Sequence, residues 1–291
     1  MFFYVHLCRG RALPLSLKPL WCTLSRTGVN WNVRKAGRLQ GGKTHMYARL
    51  RSLNYPLKLY VFLALALCSV ISTLWIINVR LPSGGRPYLF IWWNMMLAWI
   101  PMLLTLLLDV MYSSWRRGTR TFLLWVTGAA WLFFYPNTPY LITDLLHVFA
   151  RYPFLGEHRF WGNPYFWNHV LGMLLVAVLG LTMGFVSLES VRQLVQRARG
   201  GLVSWLFMLA VLLLSSLGIY IGRFFRGNTW DIVSAPSQLY AQVSSIWADS
   251  LQRTHFVEFS GMVFVILLVS YVSTMCVVWM GNNRQDEWRR W

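Results

Sequence analysis

The stretch LYVFLALALCSVISTLWIINV, residues 59–79, contains no charged side chain and is rich in Leu, Val and Ile. A helix of about 20 such residues is long enough to cross the roughly 30 Å hydrocarbon core of a bilayer. A helix also satisfies its backbone hydrogen bonds within the segment, which lipid requires. The stretch therefore predicts a transmembrane helix and indicates a membrane protein.

Five further apolar runs extend this pattern along the chain. Four of them are uncharged and long enough to span a bilayer: 88–108, 170–188, 200–222 and 259–283. The remaining run, 118–135, is shorter and ends before Pro136, which lacks an amide hydrogen and restricts its predecessor. The predicted fold class is all-α: a polytopic membrane protein with about six transmembrane helices and a short re-entrant or interfacial helix after the third.

The composition agrees with this fold class. Apolar residues make up 56% of the 291-residue chain and charged residues 12%, whereas a soluble domain carries about 25% charged residues. The net charge is +18, but the Lys and Arg residues fall between apolar runs rather than on one solvated face, so we expect no nucleic-acid partner. The four cysteines show no CxxC spacing, so neither a disulfide framework nor a zinc site is predicted.

The N-terminal tail, residues 1–45, differs from the rest of the chain. It contains eight Lys or Arg, no Asp or Glu, and no apolar stretch long enough for a secretory leader. We expect the tail to be disordered or absent from the native product, with Met46 as the true start; a basic arm attracted to anionic lipid is the alternative. Residues 46–283 are predicted to form the integral membrane domain and residues 284–291 a cytoplasmic tail.

The basic residues also predict the orientation. With the N-terminus inside, twenty Lys or Arg fall on the cytoplasmic side and seven on the opposite side. Without the tail the inner count is twelve, still more than seven. The positive-inside rule therefore places both termini in the cytoplasm.

A polar stretch, YPNTPYLITDLLH, follows the third predicted helix at residues 135–147. Thr138 followed by Pro139 predicts an N-cap with proline at the first helical position, so a short helix should begin there. Helical spacing places its polar side chains on one face: Tyr140, Asp144, His147 and Arg151. Because the third helix ends in an apolar sequence, we expect the short helix to lie in the interface or dip back into the bilayer.

A second polar stretch, GIYIGRFFRGNTWD at residues 218–231, closes the fifth predicted helix. Arg223 and Arg226 lie about one turn apart, and guanidinium groups suit bidentate binding of carboxylate or phosphate. The predicted topology puts this stretch on the same, extracytoplasmic side as the first. We expect these side chains to converge there: Asn94, Asn137, Asp144, His147, Arg223, Arg226 and Asp231. Residues 237–253 predict an amphipathic helix on that side.

The two polar stretches, together with WN at 93–94 and AWIP at 98–101, resemble the bacterial membrane-protein family catalogued as domain of unknown function 1361. The resemblance covers roughly residues 59–279. It implies a bacterial inner-membrane protein, and it assigns no activity or cofactor.

Binding of an anionic lipid-like or phosphate-bearing ligand is the predicted function, with membrane lipids as partners. Its candidate ligand-binding residues are Asn94, Asn137, Arg223, Arg226, Asn228 and Asp231. If the site is catalytic, His147 is the candidate base and Asp144 its orienter. A carboxylate and an imidazole one turn apart can also share a metal ion with a further ligand, so Asp144, His147 and Asp231 are weak metal candidates.

Two alternatives stay open. The same acids and arginines can instead form interhelical ion pairs in a structural or assembly protein, because ionisable groups at membrane depth need partners. A transporter is the other alternative, although Asp109 and Glu189 fall at predicted cytoplasmic helix ends, where Arg116 and Arg192 can screen them.

Overall fold

The computed structural model describes residues 51, 53–81, 84–114, 117–151, 162–225 and 236–288, all within one compact unit, Leu50–Trp291. These ranges form α-helices and one 3₁₀ turn, Leu141–Leu145, with no strand among them. The helices are α1 (Leu57–Asn78), α2 (Phe90–Ser114), α3 (Arg117–Phe134), α4 (Asn137–Tyr140), α5 (Leu146–Arg151), α6 (Pro164–Arg199), α7 (Gly201–Phe224), α8 (Pro236–Ala248) and α9 (Ser250–Trp288). The predicted tail, residues 1–45, lies outside the described residues, and the predicted boundaries at 45 and 283 stay predictions.

Among the residues that the structure describes, five helices are long and apolar enough to cross a membrane: α1, α2, α6, α7 and the Ser250–Met280 part of α9. The third predicted span corresponds to α3, which has 18 residues and carries Arg117 and Arg120 in its first turn. At about 1.5 Å per residue, α3 is roughly 27 Å long. The chain is therefore an all-α polytopic membrane protein, and the predicted fold class is confirmed.

The chain leaves α3 through Pro136 and remains helical. Pro136 has φ −57° and ψ −22°, so α4 begins at Asn137 and continues into the 3₁₀ turn and α5. The predicted N-cap at Thr138 is wrong, since no side chain caps α4 and Thr138 lies inside it. The physical reason is that Pro136 already holds a helical conformation, and the Thr138 hydroxyl donates backwards to the Tyr135 carbonyl at 2.9 Å.

Glycines of α6 allow the α4 segment to approach closely. A Cβ added at Gly180 would lie 2.5 Å from the Thr138 carbonyl oxygen and 2.8 Å from Leu141 Cδ1. One added at Gly184 would lie 2.8 Å from Thr138 Oγ1. Membrane helices associate mainly through such close contacts at small residues, because lipid tails are as apolar as the side chains. The segment therefore packs against the middle of α6.

A buried polar node ties α6 to α2 and α3. Ser187 of α6 is fully buried, its hydroxyl lies 2.8 Å from Thr105 Oγ1, and it accepts a hydrogen bond from Trp131 Nε1 at 2.8 Å. The Trp131 ring stacks on Phe207 of α7. These contacts hold four helices in register at one level of the bundle.

Contacts near the helix termini define one end of the bundle, here called the Asp144 end. Asn94, near the start of α2, contacts Asp144. Arg223, in the last turn of α7, contacts His147. The start of α6 joins the same end, where Phe166 packs against Phe149 of α5. Helix α2 leads away from the Asp144 end, and α6 begins at that end again. The chain between them, which begins with α3, therefore runs back along α2.

The opposite end of the bundle, here called the Asp109 end, contains a separate set of polar contacts. Lys58 at the start of α1 pairs with Asp109 near the end of α2. Glu189 of α6 accepts a hydrogen bond from the Tyr271 hydroxyl in the second half of α9. The described part of the membrane domain thus starts and finishes at the same end.

Helix α8 is the amphipathic helix predicted over 237–253. It ends earlier, at Ala248, because the Asp249 side chain accepts a hydrogen bond from the Leu251 amide at 2.9 Å and begins α9. Ile246 is buried, whereas Trp247 is exposed. Helix α8 packs against α9.

The close contact at Gly180 can be tested by adding one methyl group. We expect Gly180→Ala to destabilise the protein by about 1–3 kcal/mol, because its Cβ would overlap the Thr138 backbone. Gly261→Ala is the matched control, since a Cβ there meets nothing within 4 Å. Thermal unfolding in detergent measures both. Equal stability of the two variants would contradict the packing described for the α4 segment.

Candidate functional site

Asp144 is the buried centre of the polar site. It lies in the 3₁₀ turn, outside the five membrane-spanning helices, and is 1% exposed. Asn94 Nδ2 donates to its Oδ2 at 2.8 Å. Burial raises the pKa of the Asp144 carboxyl to about 6, although the hydrogen bond from Asn94 and the charge of Arg223 act in the opposite direction.

His147 and Arg223 form the more exposed part of the site. Arg223 Nη1 lies 3.0 Å from His147 Nε2. Because a guanidinium can only donate, Nε2 is the acceptor. The imidazole is therefore neutral in this arrangement. The His147 ring packs on Phe90 with ring centroids 4.7 Å apart. Its Nε2 lies 3.7 Å from Asp144 Oδ1, longer than a hydrogen bond.

Four of the predicted site residues therefore meet, and they come from three parts of the chain: α2, the α4–α5 segment and α7. We call Asn94, Asp144, His147 and Arg223 the Asp144 cluster. Asn137 lies earlier in the segment, where its Nδ2 donates to the Phe134 carbonyl at 2.9 Å. Arg226, Asn228 and Asp231 lie outside the described residues.

The chemical roles assigned to these residues stay predictions. As candidate base, His147 already accepts a hydrogen bond from Arg223 at Nε2, so a substrate proton would have to displace Arg223. Within the described ranges, no group of three or more His, Cys, Asp or Glu residues could hold a metal ion. His169 lies elsewhere, with its Nδ1 2.8 Å from the Tyr88 hydroxyl.

Sequence reasoning missed the polar contacts that cross between helices at the Asp109 end. Asp109 is fully buried and pairs with Lys58, and the Tyr55 hydroxyl donates to its Oδ2 at 3.1 Å. Burial and the neighbouring carboxylate raise the pKa of the Tyr55 hydroxyl, so it remains a neutral donor. The predicted screening of Asp109 by Arg116 involves a residue outside the described ranges. Because Lys58 and Asp109 lie far apart in the chain, local spacing gives no signal for the pair.

The predicted pairing of Glu189 with Arg192 is observed. Arg192 Nε and Nη2 donate to the two carboxylate oxygens of Glu189, both at 2.7 Å. Tyr271 of α9 donates to the same carboxylate at 2.6 Å. The i, i+3 spacing of the acid and the arginine on one helix is the signal that made this pair predictable.

The fold and the two sets of polar contacts define a polytopic, all-α membrane protein with a polar cluster at each end of the bundle. Residues 93–274 match a family described as proteins of unknown function, DUF1361, and the chain belongs to this family. The match includes all four residues of the Asp144 cluster. No curated protein and no solved structure matches the chain.

The raised pKa of Asp144 predicts a pH-dependent stability. The carboxyl has a higher pKa in the folded than in the unfolded protein, so binding of its proton stabilises the fold. This contribution to the free energy of unfolding is fully present below about pH 4, and it is lost as the pH rises through about 6. We expect the wild type to gain about 1 kcal/mol between pH 7 and pH 5 relative to Asp144→Asn, which keeps the size but does not titrate. Thermal unfolding at both pH values measures this difference. The same change in both proteins would contradict the assignment.

Proposed function

We propose that this chain is a bacterial inner-membrane protein that binds an anionic, lipid-like or phosphate-bearing ligand at the Asp144 cluster. The family has no described activity, so the proposal rests on the geometry of the cluster. The proposed ligand contacts are Arg223 and Asn94, joined by Arg226, Asn228 and Asp231 from the adjoining segment and by Asn137.

The way Arg223 is held is the observation that carries this proposal. Its hydrogen-bond partner is a neutral imidazole acceptor, and among the described residues no acid lies within 4.0 Å as an ion-pair partner. A neutral acceptor fixes the guanidinium without cancelling its charge. Arg223 is partly buried and His147 is 39% exposed on its side chain, so an anion has access to this end of the cluster. Charge-assisted hydrogen bonds from a positioned guanidinium are the strong ones for phosphate or carboxylate.

The arrangement supports binding better than acid–base catalysis. A general base needs a free lone pair directed at the substrate proton. His147 Nε2 accepts from Arg223, and the Asp144 carboxylate is 3.7 Å from that same nitrogen rather than bonded to the other one. A catalytic His147 with Asp144 as orienter would require Arg223 to move.

A structural role is the second candidate, favoured by the bonds that cross between elements. Asn94 joins α2 to Asp144, and Arg223 joins α7 to His147. These two contacts would tie the short helices to the bundle without any ligand. Within the described residues they are hydrogen bonds rather than the acid–arginine pairs that this alternative proposes.

Ligand retention separates the two candidates. We expect Arg223→Gln to lose a bound anionic mass in native mass spectrometry of the mildly solubilised protein, because glutamine cannot supply the positive charge. Arg253→Gln, which removes an exposed arginine of α9, is the control and should retain that mass. Asp144→Ala should lose the mass with the membrane domain still folded. Loss of folding in both site variants, or identical bound masses in all four proteins, would favour the structural role.

We further propose that the Asp109 end faces the cytoplasm and the Asp144 end faces outward. Support comes from the excess of Lys and Arg on the tail side of the predicted topology. The described membrane domain also begins and ends at the Asp109 end, so both termini would share one compartment.

Two exposed glycines with open surroundings provide a test of orientation: Gly162 near the Asp144 end and Gly201 near the Asp109 end. In a background lacking the four native cysteines, we expect Gly162→Cys to react with an impermeant maleimide in intact spheroplasts. Gly201→Cys should react only after permeabilisation. The reverse pattern would invert the proposed topology.

A further inference from the structure

The His147 imidazole lies between two groups of opposite charge. Arg223 Nη1 of α7 is 3.0 Å from Nε2, and Asp144 Oδ1 of the 3₁₀ turn is 3.7 Å from the same nitrogen. Phe90 of α2 packs against the ring and brings no charge. At the start of α6, the titratable His169 has its Nδ1 2.8 Å from the Tyr88 hydroxyl. Arg223 and Asp144 therefore act on one ring nitrogen in opposite directions.

The protonation state of the imidazole decides which of these two groups it can bond. In the neutral ring, Nε2 accepts from Arg223 and the ring proton is on Nδ1. An imidazolium carries a proton on both nitrogens and cannot accept a hydrogen bond. Its Nε2–H would instead be a donor, and Asp144 Oδ1 is an acceptor of opposite charge close to it. The His147 side chain is 39% exposed, so protons from solvent can reach it.

The Asp144 carboxyl is arranged to receive this donor. Asn94 donates to Oδ2, whereas Oδ1 is the oxygen that faces His147. The pKa of Asp144 is raised by burial to about 6, so the group is ionised above that pH. A carboxylate within about 4–6 Å favours the charged form of an imidazole. The ordinary pKa of histidine, about 6.5, makes that charged form accessible near neutral pH.

An anion bound to Arg223 removes the two features that hold the imidazole neutral. The positive charge of the guanidinium disfavours a second positive charge on the ring, and its N–H group occupies the lone pair of Nε2. A phosphate or carboxylate on Arg223 offsets that charge and gives the guanidinium an acceptor of its own. The attraction of Asp144 for an imidazolium then has no opposing contact at Nε2.

We propose that the Asp144 cluster binds its anion together with one proton, which His147 takes up from solvent. The inference rests on the proposed function, because it concerns the same anion and the same arginine. The neutral imidazole positions Arg223 for the incoming anion. Once the anion accepts from the guanidinium, Nε2 binds the proton and donates to Asp144. An N–H bond at Nε2 is the only covalent bond formed, and a single negative charge entering with a proton leaves the net charge of the cluster unchanged.

The coupling makes the affinity for the anion depend on pH. If an anion promotes binding of a proton, then the proton promotes binding of the anion by the same factor. Affinity therefore rises as pH falls, and uptake of one whole proton corresponds to a change of about tenfold per pH unit.

The test uses the purified full chain in detergent and short-chain phosphatidylglycerol, a phosphodiester whose own charge is constant near neutral pH. We expect its affinity to be up to about tenfold higher at pH 6.5 than at pH 7.5. Calorimetric titrations in two buffers with different ionisation enthalpies should show uptake of nearly one proton per bound lipid. Dimethyl phosphate has the same phosphodiester without acyl chains. Proton uptake with either probe supports the proposal, and their relative affinities distinguish a lipid headgroup from a free phosphate.

Two histidine variants locate the proton. His147→Gln keeps a neutral acceptor for Arg223 but does not titrate, so it should bind the probe without proton uptake and with equal affinity at both pH values. His255→Gln, which replaces an exposed histidine of α9, is the matched control and should behave like the wild type.

Each contrary result has a separate meaning. Proton uptake that persists in His147→Gln would overturn the assignment of the proton to His147. Binding to the wild type without proton uptake, and with equal affinity at both pH values, would overturn the coupling and leave the proposed function standing. Failure of both probes to bind the wild type at either pH would overturn the proposed function and the coupling together.

Discussion

The close approach of the α4 segment to α6 is the constraint on which the Asp144 end depends. Gly180 and Gly184 carry no side chain where Thr138 and Leu141 lie, so the short helices sit against the middle of α6 rather than on its end. In this position Asp144 contacts Asn94 of α2 and His147 contacts Arg223 of α7. A side chain at either glycine would push the segment away from α6. The contacts of the Asp144 cluster would then be weakened although none of its own residues had been substituted.

The parts of the fold that the sequence predicted are those set by the bilayer itself. A helix that crosses hydrocarbon needs about 20 predominantly apolar residues, so the runs could be located in the sequence without tertiary information. The approach of Asp144 and Arg223 was also predictable, because helix parity puts both polar stretches at one end. Thr138 was misplaced because a Thr-Pro pair can begin a helix or continue one, and the backbone at Pro136 decides between them.

Contacts between distant helices were beyond sequence reasoning. Lys58 meets Asp109 and Tyr271 meets Glu189 only because α1, α6 and α9 pack at the same end, and no local spacing encodes that packing. Apart from the convergence at the Asp144 end, prediction therefore succeeded along single helices and stopped at the interfaces between them.

The hydrogen bond from Arg223 to His147 means that the arginine side chain loses conformational entropy when the protein folds rather than when a ligand binds. A free arginine side chain loses up to about 2 kcal/mol of rotamer freedom when it is fixed. Here a neutral neighbour already restrains the guanidinium, so much of this ordering occurs during folding. An anion that reaches Arg223 meets a preorganised donor and keeps more of its interaction energy as affinity.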